Sequence, residues 1–283
     1  MNIVKGVTFL KTLVKSKSII SNQNSFARRS ELRNQEPFHD TNKDWNHLCL
    51  NQTWAIGSLN YLFRESRSYT PHYWERYYYE SGKQRLELLK ELSPIKQEIL
   101  QNFTIPYMKQ KHLLRFLTKE EIMLNTHYGR TPEELNRIAD FFYQELQHKF
   151  PLTPSLAKDY VRIRVIDETF IGFQREIKTI SYLRRRYPDY TIREASSDMD
   201  SLYAIDCEVY KGNALLVALQ IKSPQYLHSK LSFLNSVKRY NQEKNELYTR
   251  TFGVPVLYVF SNSNGFIKNR EILSELDQLI QKK

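Results

Sequence analysis

Cysteine is scarce in this chain: Cys49 and Cys207 are the only two among 283 residues. They stand far apart, and neither lies in a metal-binding spacing, which argues against a zinc site. Two unpaired thiols fit a reducing cytosol, although sequence alone leaves a disulfide between them open. Long apolar runs are missing as well. No stretch approaches the ~18 apolar residues that a membrane span needs, so no transmembrane segment is expected. The chain has no internal repeat and no secretory-type apolar region near its start. Acid is absent from the first thirty residues, where Lys5, Lys11, Lys15, Lys17, Arg28 and Arg29 all precede Glu31. That composition suits a basic arm that touches phosphates, a plain disordered start, or a cleaved organellar transit peptide.

Base is what the chain has in excess, with a net charge of +11. Such an excess favours a polyanionic partner, either nucleic acid or an acidic membrane surface. The plainer alternative is a soluble basic protein without one. Apolar residues make up 41% and aromatics 13%, enough for a packed core. The length allows one large domain or two modest ones.

Three regions follow from the pattern: a basic arm over 1–42, a mostly helical region over 43–152 and an α/β region over 153–283. In the middle region Trp54–Phe63, Tyr73–Ser81 and Arg85–Leu100 carry helical spacing. Thr131-Pro132-Glu133-Glu134 is a helix start with a capping-box pattern. Pro151 and Pro154 then punctuate the chain. Beyond them the pattern predicts a helix over Thr169–Tyr187, strands over Tyr190–Glu194, Tyr203–Tyr210 and Ala214–Lys222, a helix over Leu231–Tyr248, a strand over Val254–Ser261 and a helix over Ile267–Ile280. Helices on both sides of a mixed sheet are the layered solution for that order.

The hairpin Tyr203–Lys222 holds the most informative residues. Strand side chains alternate between faces. Ile205, Cys207 and Val209 are expected on one face, with Asp206 and Glu208 on the other. On the second strand Leu215, Val217, Leu219 and Ile221 form one face, and Leu216, Ala218, Gln220 and Lys222 form its opposite. Asp206, Glu208, Gln220 and Lys222 are therefore expected over one region of the sheet, where residues on paired strands lie ~5 Å apart.

Glu176 on the preceding helix, Asp206, and Gln220-Ile221-Lys222 together resemble the PD-(D/E)xK nuclease superfamily, and the helix, three strands, helix, strand, helix order is similar to its core. The segments DETFIGFQREI (Asp167–Ile177), YPDYTIREA (Tyr187–Ala195), YAIDCEVY and QIKSPQYL, with WAIGSLNYLF and YWERYYYESG upstream, resemble the MjaI-like type II restriction endonucleases. The resemblance implies a restriction-endonuclease-like α/β core over 153–283 and DNA recognition by 43–152. It implies cleavage of double-stranded DNA at a short site with Mg²⁺, a homodimer, and a cognate DNA methyltransferase as functional partner. A repair or mobile-element nuclease on the same core, or an inactive DNA-binding protein, are the alternatives.

Each site residue has a role and a plainer reading. Asp206 suits a hard cation, since Mg²⁺ prefers oxygen ligands; otherwise it is a solvated strand aspartate. Lys222 would position the attacking water and offset phosphate charge; otherwise it is a strand-end lysine. Gln220 stands where the superfamily usually has an acid, and it either contacts the metal, holds a water or is a structural amide. The Ile221 carbonyl as ligand is implied by the resemblance alone. Glu176 falls within the apolar arc of its helix and would bind the metal or pair with a base such as Arg184. Glu208 and Glu168 are candidates for outer positions, Glu168 lying off the stripe. Asp198 and Asp200 lie in a polar loop as outside candidates. The run Tyr73–Tyr79, with Arg64, Arg67 and Arg76, would touch DNA or simply bury its aromatics in a core.

Overall fold

Helix starts in the first half are written in residues that cap them. In a computed structural model, which describes residues 25–48, 50, 53–66, 69–104, 112–228 and 232–281, the chain forms two compact units that divide between Phe170 and Ile171. Residues 1–24, Cys49 and Arg67 lie outside the described residues. The first unit is helical: α1 (residues 25–33), α2 (Glu36–Asp40), α3 (Asn42–His47), α4 (Thr53–Ser66), α5 (Pro71–Lys90), α6 (Pro94–Gln101), α7 (Lys119–Met123), α8 (Pro132–Leu146) and α9 (Pro154–Arg162), which runs on through a π turn at Ile163–Asp167. Pro154 opens α9 at its first turn, where no N–H is needed, so the prolines start a helix and the first unit continues past them. Pro94 likewise splits the single helix expected over 85–100 into α5 and α6.

Residues 25–42, expected as part of an arm, are helical and packed. Arg29 is 1% exposed. Its guanidinium forks onto Asp167 at 2.7 and 2.9 Å and reaches Glu75 at 3.1 Å. Burial pushes the Asp167 carboxyl up to about 6, against the pull of Arg29. A folded value above the ordinary 3.8 means that the native state takes up a proton as pH falls through about 6. Asp167 therefore adds stability at low pH that is lost as pH rises through that value. Asp167→Asn, which mimics the protonated carboxyl, should flatten the urea midpoint between about pH 4 and about pH 7. An unchanged slope would mean that Arg29 keeps Asp167 ionised throughout.

The aromatic run on α5 is amphipathic. Trp74 and Tyr78 are fully buried and donate to the carbonyls of Ile166 and Gly129 at 3.0 and 2.8 Å. Tyr73 and Arg76 face outward, with the guanidinium over the ring at 5.2 Å. A buried polar knot joins α5 to the turn before α8. Arg85 donates to Asn125 O and to Glu134 Oε2, and Glu134 Oε2 also accepts from the N–H groups of Arg130 and Thr131 at 2.7 and 3.1 Å. This close fit requires glycine twice. A Cβ on Gly82 would lie 2.1 Å from Arg130 O, and Gly129 takes φ +55°.

The second unit is α/β. Its elements are α10 (Glu168–Arg186, whose first turn holds the unit boundary), β1 (Thr191–Glu194), α11 (Ser197–Tyr203), β2 (Cys207–Lys211), β3 (Ala214–Lys222), α12 (Gln225–His228), α13 (Ser232–Phe252), β4 (Val256–Phe260) and α14 (Glu271–Gln281). The sheet runs β1-β2-β3-β4, antiparallel except for the parallel β3–β4 pair. On one face Ile180 and Leu183 of α10 and Ile272 and Leu276 of α14 pack on Cys207, Val209, Val217, Leu219, Ile221 and Val259. On the other, Tyr248 of α13 packs with Ala218, Ile205 and Val254. Cys207 is a free thiol in the first of these cores, pushed up by burial.

Several local features depart from the simple pattern. The polar stretch before β2 is helical, because the Ser196 side chain accepts from Met199 N at 3.2 Å and caps α11. Left-handed Ala204 (φ 55°) ends that helix, so Tyr203–Asp206 lie outside β2 and Ile205 turns to the α13 face. Between Val209↔Val217 and Tyr210↔Leu215 the register shifts, which leaves Leu216 as an extra residue. Leu216 consequently packs with Val217 on the α10 face, and Leu215 goes to the α13 face, the reverse of strict alternation. Finally, the outer edge of β4 is occupied: Asn269 donates to Tyr258 O and accepts from Phe260 N, each at 2.8 Å, and Lys268 N donates to Phe260 O at 2.7 Å.

Candidate active site

Asp206 sits where β2 stops pairing with β3. Its backbone still belongs to the sheet, since its N–H donates to Leu219 O at 2.8 Å and its carbonyl accepts from Ala195 N at 2.9 Å. The next ladder bond is replaced by the side chain, whose Oδ2 accepts from Ile221 N at 2.5 Å. An aspartate here is therefore a strand-ending cap that substitutes a carboxylate for a backbone carbonyl. It is 6% exposed, so the carboxylate is held away from bulk water. The N–H and C=O of one strand residue point to the same side. The Ile221 carbonyl therefore also faces the side where Asp206 stands, whereas Lys222 O accepts from Ser261 N on the opposite side at 3.0 Å.

Lys222 ends β3 in a field of acids. Burial pushes its ammonium down, but the charges of Asp206, Glu176 and Asp200, with the Tyr226 phenol, outweigh that and hold it above the ordinary lysine value. Glu176, half-buried on α10, thus joins Asp206 and Lys222, and both carboxylates also act on Cys207. Asp200, on the first turns of α11, belongs to the same electrostatic group.

The other sequence candidates are placed differently. Glu208 is engaged by two phenols: its Oε1 accepts from Tyr248 at 2.5 Å and its Oε2 from Tyr210 at 2.8 Å. It ties β2 to α13. Glu168 is exposed at the start of α10, and its charge bears on Arg164 within the first unit. Asp198 is exposed on α11. Gln220 is 1% exposed, and its Oε1 accepts from Asn245 Nδ2 at 3.0 Å. Asn245 and Tyr258 escaped the sequence reading. The only trace of Asn245 was its helical spacing from Asn241, which equally describes a solvated face.

Among the described residues no three His, Cys, Asp or Glu side chains gather as a metal-binding group. What the site can offer a cation is the carboxylates of Asp206 and Glu176 and the Ile221 carbonyl. All are hard oxygens, which fits Mg²⁺, an ion that keeps several waters and takes one or two protein carboxylates.

Comparison with known proteins identifies a family. The sequence model of the MjaI restriction endonuclease family matches residues 42–273, which takes in most of the first unit and nearly all of the second. No curated protein and no solved structure matches the chain. With a family match over most of its length, this chain belongs to the MjaI restriction endonuclease family.

Proposed function

We propose that the protein is a Mg²⁺-dependent type II restriction endonuclease that hydrolyses phosphodiester bonds in double-stranded DNA at a short specific site. The observation that carries this reading is the ammonium of Lys222 held in the common field of Asp206 and Glu176 where β2 and β3 part. Asp206 and Glu176, with the Ile221 carbonyl, hold the ion. Mg²⁺, when bound, supplies positive charge at the scissile phosphate and makes water a better nucleophile. Lys222 orients the attacking water for in-line displacement and offsets the charge that builds on the phosphate. Gln220 contributes a neutral polar group where a further acid would add negative charge.

Recognition falls to the helical region 43–152, whose outward Tyr73 and Arg76 suit a polyanion. Two-fold proteins read two-fold sites, so the chain acts as a homodimer on a palindrome, with a cognate methyltransferase protecting host DNA. The net charge of +11 supports the polyanionic substrate. The direct test is incubation of the purified chain with plasmid and phage DNA, with and without Mg²⁺. Discrete fragments that require Mg²⁺ are expected. A smear would indicate a non-specific nuclease, and intact DNA would indicate a binding protein whose chemistry is lost.

A further inference from the structure

Position 220 is one rung beyond the Cys207↔Leu219 pair and so stands opposite Asp206. It is occupied by an amide, and an amide has two unlike ends. Its oxygen can ligate a cation; its NH₂ can only donate. In Gln220 the oxygen is already committed, since Oε1 accepts from Asn245 Nδ2 at 3.0 Å. The same Nδ2 donates to the Tyr258 hydroxyl at 3.0 Å, so both N–H bonds of Asn245 are used. Asn245 is 6% exposed, and its Oδ1 is buried with no hydrogen-bond partner.

That orphaned oxygen is informative. Turning the Asn245 amide over would let the Tyr258 hydroxyl donate to Oδ1. It would also set that oxygen against the Gln220 oxygen, so Gln220 would have to turn over too and present its oxygen in place of its NH₂. A buried acceptor left unpaired costs about 1–3 kcal/mol, and such groups in native proteins call for a reason. The phenol that anchors Asn245 is itself fixed. Tyr258 stacks on Tyr226 at 6.1 Å and on Phe260 at 6.0 Å, and Asn241, one turn before Asn245, donates to the Tyr226 hydroxyl at 3.2 Å.

We propose that Asn245 is a positioning residue for the cleavage reaction: it holds the Gln220 oxygen against α13, so that Gln220 serves as a hydrogen-bond donor to a phosphate oxygen and not as a ligand to the cation. The proposal rests on the nuclease reading above and deepens it. A carboxylate at position 220 would repel a phosphate oxygen and bind a cation; a donor does the reverse. Ligation is thereby left to Asp206, Glu176 and the Ile221 carbonyl, and Gln220 acts on the charge that develops on the phosphate.

The test is a double-mutant cycle between positions 245 and 220 in the full chain. Two readouts are taken: Mn²⁺ binding without DNA, by electron paramagnetic resonance, and cleavage with Mg²⁺. Asn245→Leu removes the donor without adding charge. It should lower kcat by about tenfold to about 100-fold at unchanged KM, with no further loss once Gln220→Leu is present. Asn245→Asp cannot donate, so it should turn Gln220 over and tighten Mn²⁺ binding by about tenfold. Gln220→Leu in that background separates the causes: a gain made through the Gln220 oxygen disappears, whereas a gain from the added charge persists. Should the buried charge unfold Asn245→Asp, the Asn245→Leu arm decides alone. Additive effects at the two positions, or an unchanged kcat in Asn245→Leu, would overturn the proposal. Asp206→Ala is run alongside. If it cuts and binds Mn²⁺ like the wild type, the nuclease site itself is misplaced, a failure distinct from that of Asn245.

Discussion

Asp206→Ala and Lys222→Ala should each reduce DNA cleavage by about 10³-fold or more, while DNA binding measured with Ca²⁺ in place of Mg²⁺ stays within a few-fold of wild type. The rate effect corresponds to roughly 4 kcal/mol of lost transition-state stabilisation. The two substitutions fail for different reasons. Asp206 is a buried carboxylate at the parting of two strands, and its loss removes charge that a cation needs. Lys222 is a cation on which Asp206, Glu176 and Asp200 all act, and its loss removes that positive charge from their midst. Asp206 also accepts the Ile221 N–H, so alanine leaves that donor unpaired. Asp206→Asn keeps an acceptor there and removes only the charge, so it should restore thermal stability but not cleavage. Full activity in Asp206→Asn would sink the role assigned to the carboxylate, because geometry alone would then suffice. The binding arm matters as much, since most phosphate contacts are expected away from these residues.

Glu134→Ala should lower the stability of the first unit by about 3–5 kcal/mol, enough to unfold a marginal domain. Glu134 has several tasks. It neutralises buried Arg85, and it accepts the N–H groups of Arg130 and Thr131 at the start of α8. Burial already pushes the Arg85 guanidinium down, with Glu134 working against that. Truncation therefore leaves an uncompensated cation and two unpaired donors in one place. Glu134→Gln keeps an acceptor but loses the charge, so about half of that loss is expected. Chemical denaturation followed through the tryptophans gives the comparison. If Ala and Gln variants unfold at the same midpoint, charge compensation is the whole effect; if both match wild type, the knot is not a source of stability.

Much of this arrangement could be read from the chain. Thr131-Pro132-Glu133-Glu134 announced α8, because a capping box is a local interaction and local interactions survive in sequence. The charges of Glu176, Asp206 and Lys222 act on one another as the sequence led one to expect, because an acid or a base at those positions of a strand or an apolar helix face needs a partner. Parity placed Glu208 on the α13 face with Gln220, but did not give its partners. Glu208 lies near Asp206 in sequence, but Tyr248, forty residues on, claims it. The Leu216 bulge defeated alternation for a related reason, since an extra residue in a strand is defined by its partner and not by its own neighbours. Asn245 was invisible because an amide's direction is set by contacts between distant elements. Arg29, in a stretch that reads as a loose basic arm, is fixed by Asp167, 138 residues later.

The occupied edge of β4 has a consequence for self-association. The carbonyl of Tyr258 and both polar backbone groups of Phe260 are already bonded to Asn269 and Lys268. Another strand arriving there would have to break those bonds before it made its own. Two copies therefore cannot simply pair through their β4 strands. Any association through this edge would have to be made by side chains, which would make its strength adjustable by single substitutions and by ionic strength in a way that backbone pairing is not.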